Sequence, residues 1–286
     1  MGWILDLLVP SLLCLLMLLV GLGLDRQDFQ ELRSRKRVIF LATLGQVLLL
    51  PLLAAGLAAV FEASPHIAIG LVLVAACPGG ALSNYYCHLA GANVALSIAL
   101  TSAASLASLF TLPVAASMGL ALVAESGQRI PVPARQVILQ LLFLVLLPIA
   151  VGMICRARWP ARVDRWFGSL NRLGIAALIG LITLIFFDQA HALSGELSSV
   201  IALAIAFTVF SFALGAAIGR ILQQPRAEIV SLGLEYSIRN LAIMALVAIS
   251  IFDRPEYLLF GAVFLVVQTP IVVVATMLLR SRRALA

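Results

Sequence analysis

The sequence predicts an all-α polytopic membrane protein with nine transmembrane helices. Of its 286 residues, 63% are hydrophobic and only 11% are charged, and the mean hydropathy is +1.12. A water-soluble domain needs far more charge on its surface, so this composition excludes that class. Helices and closed barrels are the structures that satisfy their own backbone inside a bilayer. The long apolar runs lack the period-two alternation of barrel strands, which leaves helices.

The apolar runs define the individual spans. A helix needs about 20 predominantly apolar residues to cross the hydrocarbon core. In chain order, the segments that meet this condition are 3–24, 38–61, 66–90, 93–123, 134–155, 170–189, 198–220, 228–252 and 257–280.

The basic residues give these spans an orientation. Fifteen of the 19 Lys and Arg residues lie in alternate connections, namely residues 25–37, 156–172, 220–226 and 280–283. Because cytoplasmic loops of membrane proteins are enriched in Lys and Arg, the N-terminus is predicted outside and the C-terminus in the cytoplasm. The predicted location is the cell inner membrane, and the net charge of +6 needs no nucleic-acid partner to explain it.

Two of the spans are interrupted by polar and helix-breaking residues. The third carries CPGGALSN at residues 77–84 and the eighth carries GLEYSIRN at residues 233–240. Interrupted helices at equivalent places in two inverted halves are typical of transporters. The chain is therefore predicted to contain two inverted repeats. Residues 1–124 form the first, with four spans because its first helix is missing, and residues 134–280 form the second, with five.

The Pro78-Gly79-Gly80 sequence has two interpretations. Proline removes a backbone donor and the glycines loosen the chain, which can give a packed kink or an unwound segment. In an unwound segment, free carbonyls can bind a cation and the next helix N-terminus can meet an anion. Ser83 and Asn84 follow directly, and they favour the unwound segment because oxygen ligands suit a hard cation.

Weaker polar signals lie in the neighbouring spans. Ser97 and Thr101 are four residues apart on one helical face, and Gln46 lies in the middle of the second span. Such residues often hydrogen-bond within their own helix or between helices. Taken alone, they are compatible with either a structural role or a ligand role.

Glu235 is the strongest single candidate for a functional residue. An ionisable group inside a membrane span is costly and marks a functional site by default. The alternative is a structural ion pair, because Arg239 follows four residues later in the favourable acid-then-base order. No nucleophile elbow or HExxH motif is present, and three scattered histidines do not form a metal site. An enzymatic activity is therefore not expected.

The sequence resembles the bile acid:sodium symporter family over almost its whole length. CPGGALSN followed by GANVALSIALTSAASL is similar to the crossing-helix region of that family, and GLGLDRQDF is similar to an early family motif. LEYSIRN lies where the family has a Glu-x-x-x-Gln-Asn motif. The resemblance implies a panel domain from residues 3–24, 134–155 and 170–189, a core domain from the other spans, and crossing third and eighth helices.

The resemblance also implies ion ligands. By similarity, the first sodium site would comprise Ser83, Asn84, Ser97, Thr101 and Glu235. The second would comprise Gln46, Glu235, the carbonyls of Tyr236 and Ile238, and a Gln at position 239. This chain has Arg239 there, and a guanidinium cannot be deprotonated to admit a cation. We therefore expect one sodium ion, with Arg239 in place of the second.

For the substrate, the resemblance implies a small organic anion such as a carboxylate. The implied contacts are Gly79, Gly80, Ala81, Asn240, Gln268 and Thr269. The expected function is sodium-coupled symport by alternating access. Sodium-independent transport by facilitated diffusion, exchange or proton coupling is the alternative, and nothing in the chain favours a non-transporting receptor. No protein partner is implied.

Overall fold

The structure is a computed structural model, and it describes residues 2–23, 35–124, 139, 142–189 and 195–284. Its regular secondary structure over these residues is helical, apart from one isolated antiparallel bridge between Gly79 and Arg239. This agrees with the predicted all-α membrane protein. The helices are α1 Gly2–Leu22, α2 Lys36–Val60, α3 Pro65–Ala76, α4 Ala81–Ala90, α5 Val94–Ala124, α6 Leu147–Arg158, α7 Pro160–Gln189, α8 Leu197–Ile221, α9 Arg226–Ser237, α10 Leu241–Ala245 and α11 Leu258–Ala284. Two π-helical turns, Leu142–Leu146 and Leu246–Ile251, precede α6 and follow α10.

Four helical segments are long and apolar enough to cross a bilayer on their own. They are Lys36–Val60, Pro160–Asp188, Leu197–Ile221 and Pro255–Arg280. The other apolar helical stretches are shorter: Pro10–Leu22, Pro65–Ala76, Val94–Ser108 and Leu241–Ser250. Residues 134–138, 140 and 141 of the predicted fifth span lie outside the described residues, so the count of nine spans stays a prediction.

Helix α7 is longer than the span predicted from hydropathy. It begins at Pro160 rather than at residue 170, because its first turns carry arginines that a search for apolar runs leaves out. Proline at the first helical position costs no hydrogen bond and has a backbone angle suited to a helix. The predicted span is therefore the apolar part of a helix with a basic beginning.

The predicted interruptions are present in both polar spans. Helix α3 ends at Ala76 and α4 begins at Ala81, with Cys77 and Gly80 in extended conformations. Helix α9 ends at Ser237 and α10 begins at Leu241, with Ile238 extended. Pro78 lacks the N–H that would continue α3, which explains the first break.

The two extended segments lie against each other. The Asn240 N–H donates to the Pro78 carbonyl at 2.9 Å, next to the bridge between Gly79 and Arg239. This pairing satisfies backbone groups that the helix breaks would leave without partners in a membrane interior. It brings four helix ends to one place inside the protein.

Helices α1, α6 and α7 pack together on one side of this crossing. Glycines permit the close approach of α1 and α6. A Cβ at Gly21 would overlap the Ile149 backbone, and one at Gly152 would overlap the Leu18 carbonyl. Small residues at helix contacts are the common device for close packing in membranes. These are the helices assigned by resemblance to the panel, and their division from a moving core remains a prediction.

Candidate ion and substrate site

The carboxylate of Glu235 lies at the crossing of the broken helices, in the last turn of α9. The residue is completely buried. Its Oε2 accepts hydrogen bonds from Ser83 Oγ at 2.5 Å and Ser97 Oγ at 3.1 Å, and its Oε1 accepts from Thr101 Oγ1 at 2.7 Å. Helices α4 and α5 thus supply three hydroxyls to one carboxylate, and these bonds offset part of the cost of burying its charge.

Gly79 leaves the space that the carboxylate occupies. A Cβ at Gly79 would overlap Oε1 and the carboxylate carbon of Glu235 and would lie in tight contact with Oε2. The extended segment between α3 and α4 therefore passes Glu235 with only backbone atoms in between. Glycine is needed here for close approach rather than for an unusual backbone angle.

Asn84 adds an oxygen to the same region. It follows Ser83 in α4, and its Oδ1 is buried without a hydrogen-bond partner. A buried polar atom without a partner is uncommon and calls for a ligand or an ordered water. The hydroxyls of Ser83, Ser97 and Thr101, the Glu235 carboxylate and the Asn84 amide form the oxygen-rich ligand type that hard cations bind.

The Arg239 side chain turns away from the Glu235 carboxylate. Its guanidinium donates to the carbonyls of Glu235 at 3.3 Å and Ala75 at 3.1 Å, and to the carbonyl of Cys77. No ion pair joins it to the Glu235 side chain among the residues that the structure describes. The two side chains therefore do not form a direct helical ion pair. Helix α9 ends at Ser237, so Arg239 leaves the helical path that would place it beside Glu235.

Gln46 reaches the same group of carbonyls from α2. Its Nε2 is 3.4 Å from the Glu235 carbonyl, and its Oε1 is buried without a partner, as is the Nε of Arg239. The Tyr236 hydroxyl does not join this group and donates to the Ala42 carbonyl of α2. Ile238 donates its N–H to the Leu234 carbonyl at 3.0 Å. The Tyr236 hydroxyl is therefore engaged away from this group, and a role of its backbone carbonyl in an ion site stays a prediction from the resemblance.

A cavity of about 180 Å³ lies between the crossing and helices α1 and α7. Its polar lining on the crossing side comes from Gly80, Asn84, Thr101, Arg239, Asn240 and Gln268. Apolar side chains of α1 and α7, including Leu19, Phe167 and Ile175, form the opposite wall. The cavity can therefore hold a molecule with one polar end and an apolar body.

The implied substrate residues differ in their relation to this cavity. Gly80, Asn240 and Gln268 line it, whereas Gly79 meets Glu235, and Ala81 begins α4. Thr269 is absent from the lining, and its hydroxyl donates to the Leu265 carbonyl of its own helix at 2.7 Å.

Asn171 of α7 lines the cavity, and sequence reasoning missed it. It lies beside Arg172 at the polar end of the apolar stretch, so hydropathy alone does not distinguish it from a residue at the membrane interface.

Comparison with known proteins identifies relatives over most of the chain. The sequence profile described as "Sodium Bile acid symporter family" matches residues 10–196. An uncharacterized sodium-dependent transporter, YocS of Bacillus subtilis, is 26% identical over 86% of this chain and 74% of its own length. A probable chloroplastic sodium/metabolite cotransporter of rice, BASS2, is 27% identical over 84% of this chain and 56% of its own length. The ileal sodium/bile acid cotransporter of rabbit is 26% identical over 83% of this chain and 67% of its own length.

Proposed function

Because the chain belongs to the sodium bile acid symporter family, we propose that it is a secondary transporter that couples the movement of a small organic anion to that of sodium. The relatives compared above are named as sodium-dependent transporters or sodium cotransporters, which supports sodium coupling. The chain spans little more than half of the rice relative. The ion and substrate of this protein are therefore argued from its own residues.

The observation that carries the proposal is the oxygen cluster around Glu235. A sodium ion would replace the hydrogen bonds between the hydroxyls and the carboxylate, and its first four ligands would be the Glu235 carboxylate and the oxygens of Ser83, Ser97 and Thr101. Asn84 Oδ1, which is buried without a partner, would become a fifth. The ion's charge would offset that of a carboxylate that is completely buried. Binding would thereby remove the two features of the site that cost free energy in its ion-free form.

In this proposal, the positive charge of Arg239 replaces that of a second sodium ion. Its guanidinium donates to three carbonyls, those of Ala75, Cys77 and Glu235. Gln46 reaches one of them. Carbonyl oxygens without helical partners are the ligands that transporters with broken helices offer to sodium. A tethered cation already occupies this group, and a sodium ion about 4 Å away would be repelled by about 4 kcal/mol at an effective dielectric constant near 20.

The cavity supports a carboxylate with an apolar body as substrate. Asn240 and Gln268 can donate hydrogen bonds, and Arg239 supplies positive charge on the same side. The N-terminus of α4 begins at Ala81, with Gly80 at the cavity wall, and favours an anion nearby. The wall of α1 and α7 is apolar, so the substrate's remaining atoms would contact hydrocarbon side chains.

The position of this cavity supports alternating access as the transport mechanism. The cavity lies between helices assigned by resemblance to the panel and crossing helices assigned to the core, where a rocking motion would open it to either side. The proposed repeats, residues 1–124 and 134–280, each contribute one broken helix, as in transporters with inverted repeats. The excess of basic residues in alternate connections supports a cytoplasmic C-terminus and location in the inner membrane.

The test compares thermal unfolding of the purified protein in sodium chloride and in choline chloride at equal ionic strength. Sodium is expected to stabilise the wild type by about 1.4 kcal/mol for each tenfold rise in concentration above the dissociation constant. Glu235→Ala and Asn84→Ala should abolish this response. A wild type that unfolds identically in both salts would contradict sodium binding.

A sodium-independent transporter of the same fold is the second candidate, and the position of Arg239 is the observation that favours it. Its charge balances that of Glu235 within one site, so the ion-free form carries no net charge. In that case the wild type would show no response to sodium, whereas Arg239→Gln would. Facilitated, exchange or proton-linked transport of the same anion would then replace symport.

A further inference from the structure

The outer face of the first half of α7 carries a basic stripe formed by Arg162, Arg165 and Arg172. The three residues are spaced by three and seven positions, which places them on one side of a helix. All three are exposed. The stripe extends along about 15 Å of the helix, from the rise of 1.5 Å per residue.

Two large apolar side chains lie along the same stripe. Trp166 is 60% exposed and Leu173 is 65% exposed. The Arg165 guanidinium lies 5.8 Å from the centroid of the Trp166 ring, a cation–π distance. The stripe ends where the apolar part of α7 begins, since residues 173–187 contain no charged residue. Trp and Arg together at such a boundary are typical of the headgroup level of a bilayer.

The positive charge of the stripe is not balanced by acidic residues of its own segment. Asp164 is the only Asp or Glu between residues 156 and 187. Its carboxylate pairs with Arg156 at the end of α6, with an N–O distance of 2.5 Å. Arg158 adds a further positive charge nearby. The elbow between α6 and α7 thus carries an excess of basic groups next to the start of the apolar part of α7.

The opposite face of α7 belongs to the cavity. Phe167, Asn171, Ile175 and Leu178 point inward and line it, and Gly174 approaches Leu16 and Leu19 of α1. One helix therefore has a cavity wall on one side and a basic, aromatic stripe on the other. A molecule bound to the stripe would hold the cavity wall in place from outside.

We infer that the basic stripe of α7 is a binding site for an anionic phospholipid. Arg162, Arg165 and Arg172 would contact the phosphate and the polar headgroup, while Trp166 and Leu173 would lie along the first part of an acyl chain. Clusters of basic residues beside a membrane helix attract anionic lipids, by about fivefold in affinity for each residue near the surface. A lipid fits better than an acidic protein because the apolar side chains along the stripe, Trp166 and Leu173, lead directly into the membrane-spanning part of α7. The site is separate from the transport site, so this inference does not depend on the transported substrate.

The test uses the purified full chain in phosphatidylcholine nanodiscs with increasing fractions of phosphatidylglycerol. The wild type is expected to unfold at a higher temperature as phosphatidylglycerol is added, with saturation. Arg165→Gln/Arg172→Gln should raise the half-saturating fraction about twenty-five-fold, two factors of about five. Arg220→Gln/Arg226→Gln is the matched control, since it removes two exposed basic residues from α8 and α9. It should leave the response unchanged.

A second measurement reports lipid contact without relying on stability. Phosphatidylglycerol with brominated acyl chains quenches nearby tryptophan fluorescence, and the Trp166→Phe variant gives the share that belongs to that ring. Quenching of Trp166 should saturate with phosphatidylglycerol and should weaken in Arg165→Gln/Arg172→Gln. Equal losses in both double variants would show a diffuse charge effect and overturn the site. The site is also overturned if brominated phosphatidylcholine quenches Trp166 equally well. A wild-type response in Arg165→Gln/Arg172→Gln would overturn it too, and this is the result expected if the stripe binds an acidic protein instead of a lipid.

Discussion

At the scale of single residues, the site depends on how one buried carboxylate is surrounded. Glu235 is completely buried, and three hydroxyls donate to it. Each donor is a small side chain from a helix other than α9. The residue opposite them, Gly79, contributes no side chain, which leaves the carboxylate room to face the hydroxyls.

Gly79→Ala tests this close approach directly. The added methyl group would overlap the Glu235 carboxylate, so either the extended segment or the carboxylate must move. We expect a loss of about 1–3 kcal/mol in the free energy of unfolding, the usual cost of overpacking, and loss of the sodium-dependent stabilisation. Thermal unfolding with and without sodium measures both effects.

Gly56→Ala is the matched control for that substitution. Gly56 lies within α2, and apart from its chain neighbours and the adjacent backbone of its own helix, nothing lies within 4 Å of the Cβ that would be added there. Replacing a helical glycine by alanine should stabilise the protein by about 0.5–1 kcal/mol and leave the sodium response intact. A Gly79→Ala protein that keeps the full response would show that the contact with Glu235 is not required for ion binding.

At the scale of elements, the helix breaks decide where the polar groups point. The breaks could be predicted from sequence because Pro78, Gly79 and Gly80 act locally on the backbone. The orientation of Arg239 could not. The spacing of four residues indicates an ion pair only along a continuous helix, and α9 ends between Glu235 and Arg239. Once the helix ends, the freed carbonyls at the end of α3 become the better partners.

Asn240 tests the restart of the second broken helix. Its side chain caps α10 by accepting the N–H groups of Ala242 at 3.1 Å and Ile243 at 3.3 Å. Asn240→Ala should lower the free energy of unfolding by about 1 kcal/mol. Asn240→Ser keeps an oxygen acceptor and should recover most of this loss. Unfolding measured in choline chloride separates the cap from any ion effect, and equal stability of the two variants would exclude the capping role.

At the scale of the whole molecule, the site joins residues that are far apart in the chain. Ser83 and Glu235 are separated by 152 positions, and no local pattern relates them. From the residues alone, Ser97 and Thr101 were compatible with ordinary helix contacts, and only the resemblance grouped them with Glu235. The cavity wall likewise could not be predicted from the sequence, because the contribution of Asn171 depends on how α7 packs against α1. Local breaks and membrane character are therefore readable from sequence, whereas the contacts that the fold creates between distant helices are not.

The net charge of the whole site leads to a prediction for the number of sodium ions. In the proposed site, Glu235 and Arg239 contribute opposite charges, so one bound sodium ion gives a net charge of +1 before the anion binds. A second ion would face the guanidinium among the same carbonyls, at a cost of about 4 kcal/mol. The free energy of unfolding should therefore rise with the logarithm of sodium concentration with the slope of a single ion, about 1.4 kcal/mol per tenfold.

Two substitutions at position 239 separate charge from shape. Arg239→Gln removes the cation and leaves an amide beside the carbonyls of Ala75, Cys77 and Glu235, so its slope should approach that of two ions. Arg239→Lys keeps the positive charge without the planar guanidinium and should keep the slope of one. The comparison is made by chemical unfolding at a series of sodium concentrations at constant ionic strength. A wild-type slope equal to that of Arg239→Gln would mean that the guanidinium does not take the place of an ion, and the three carbonyls would then need another role.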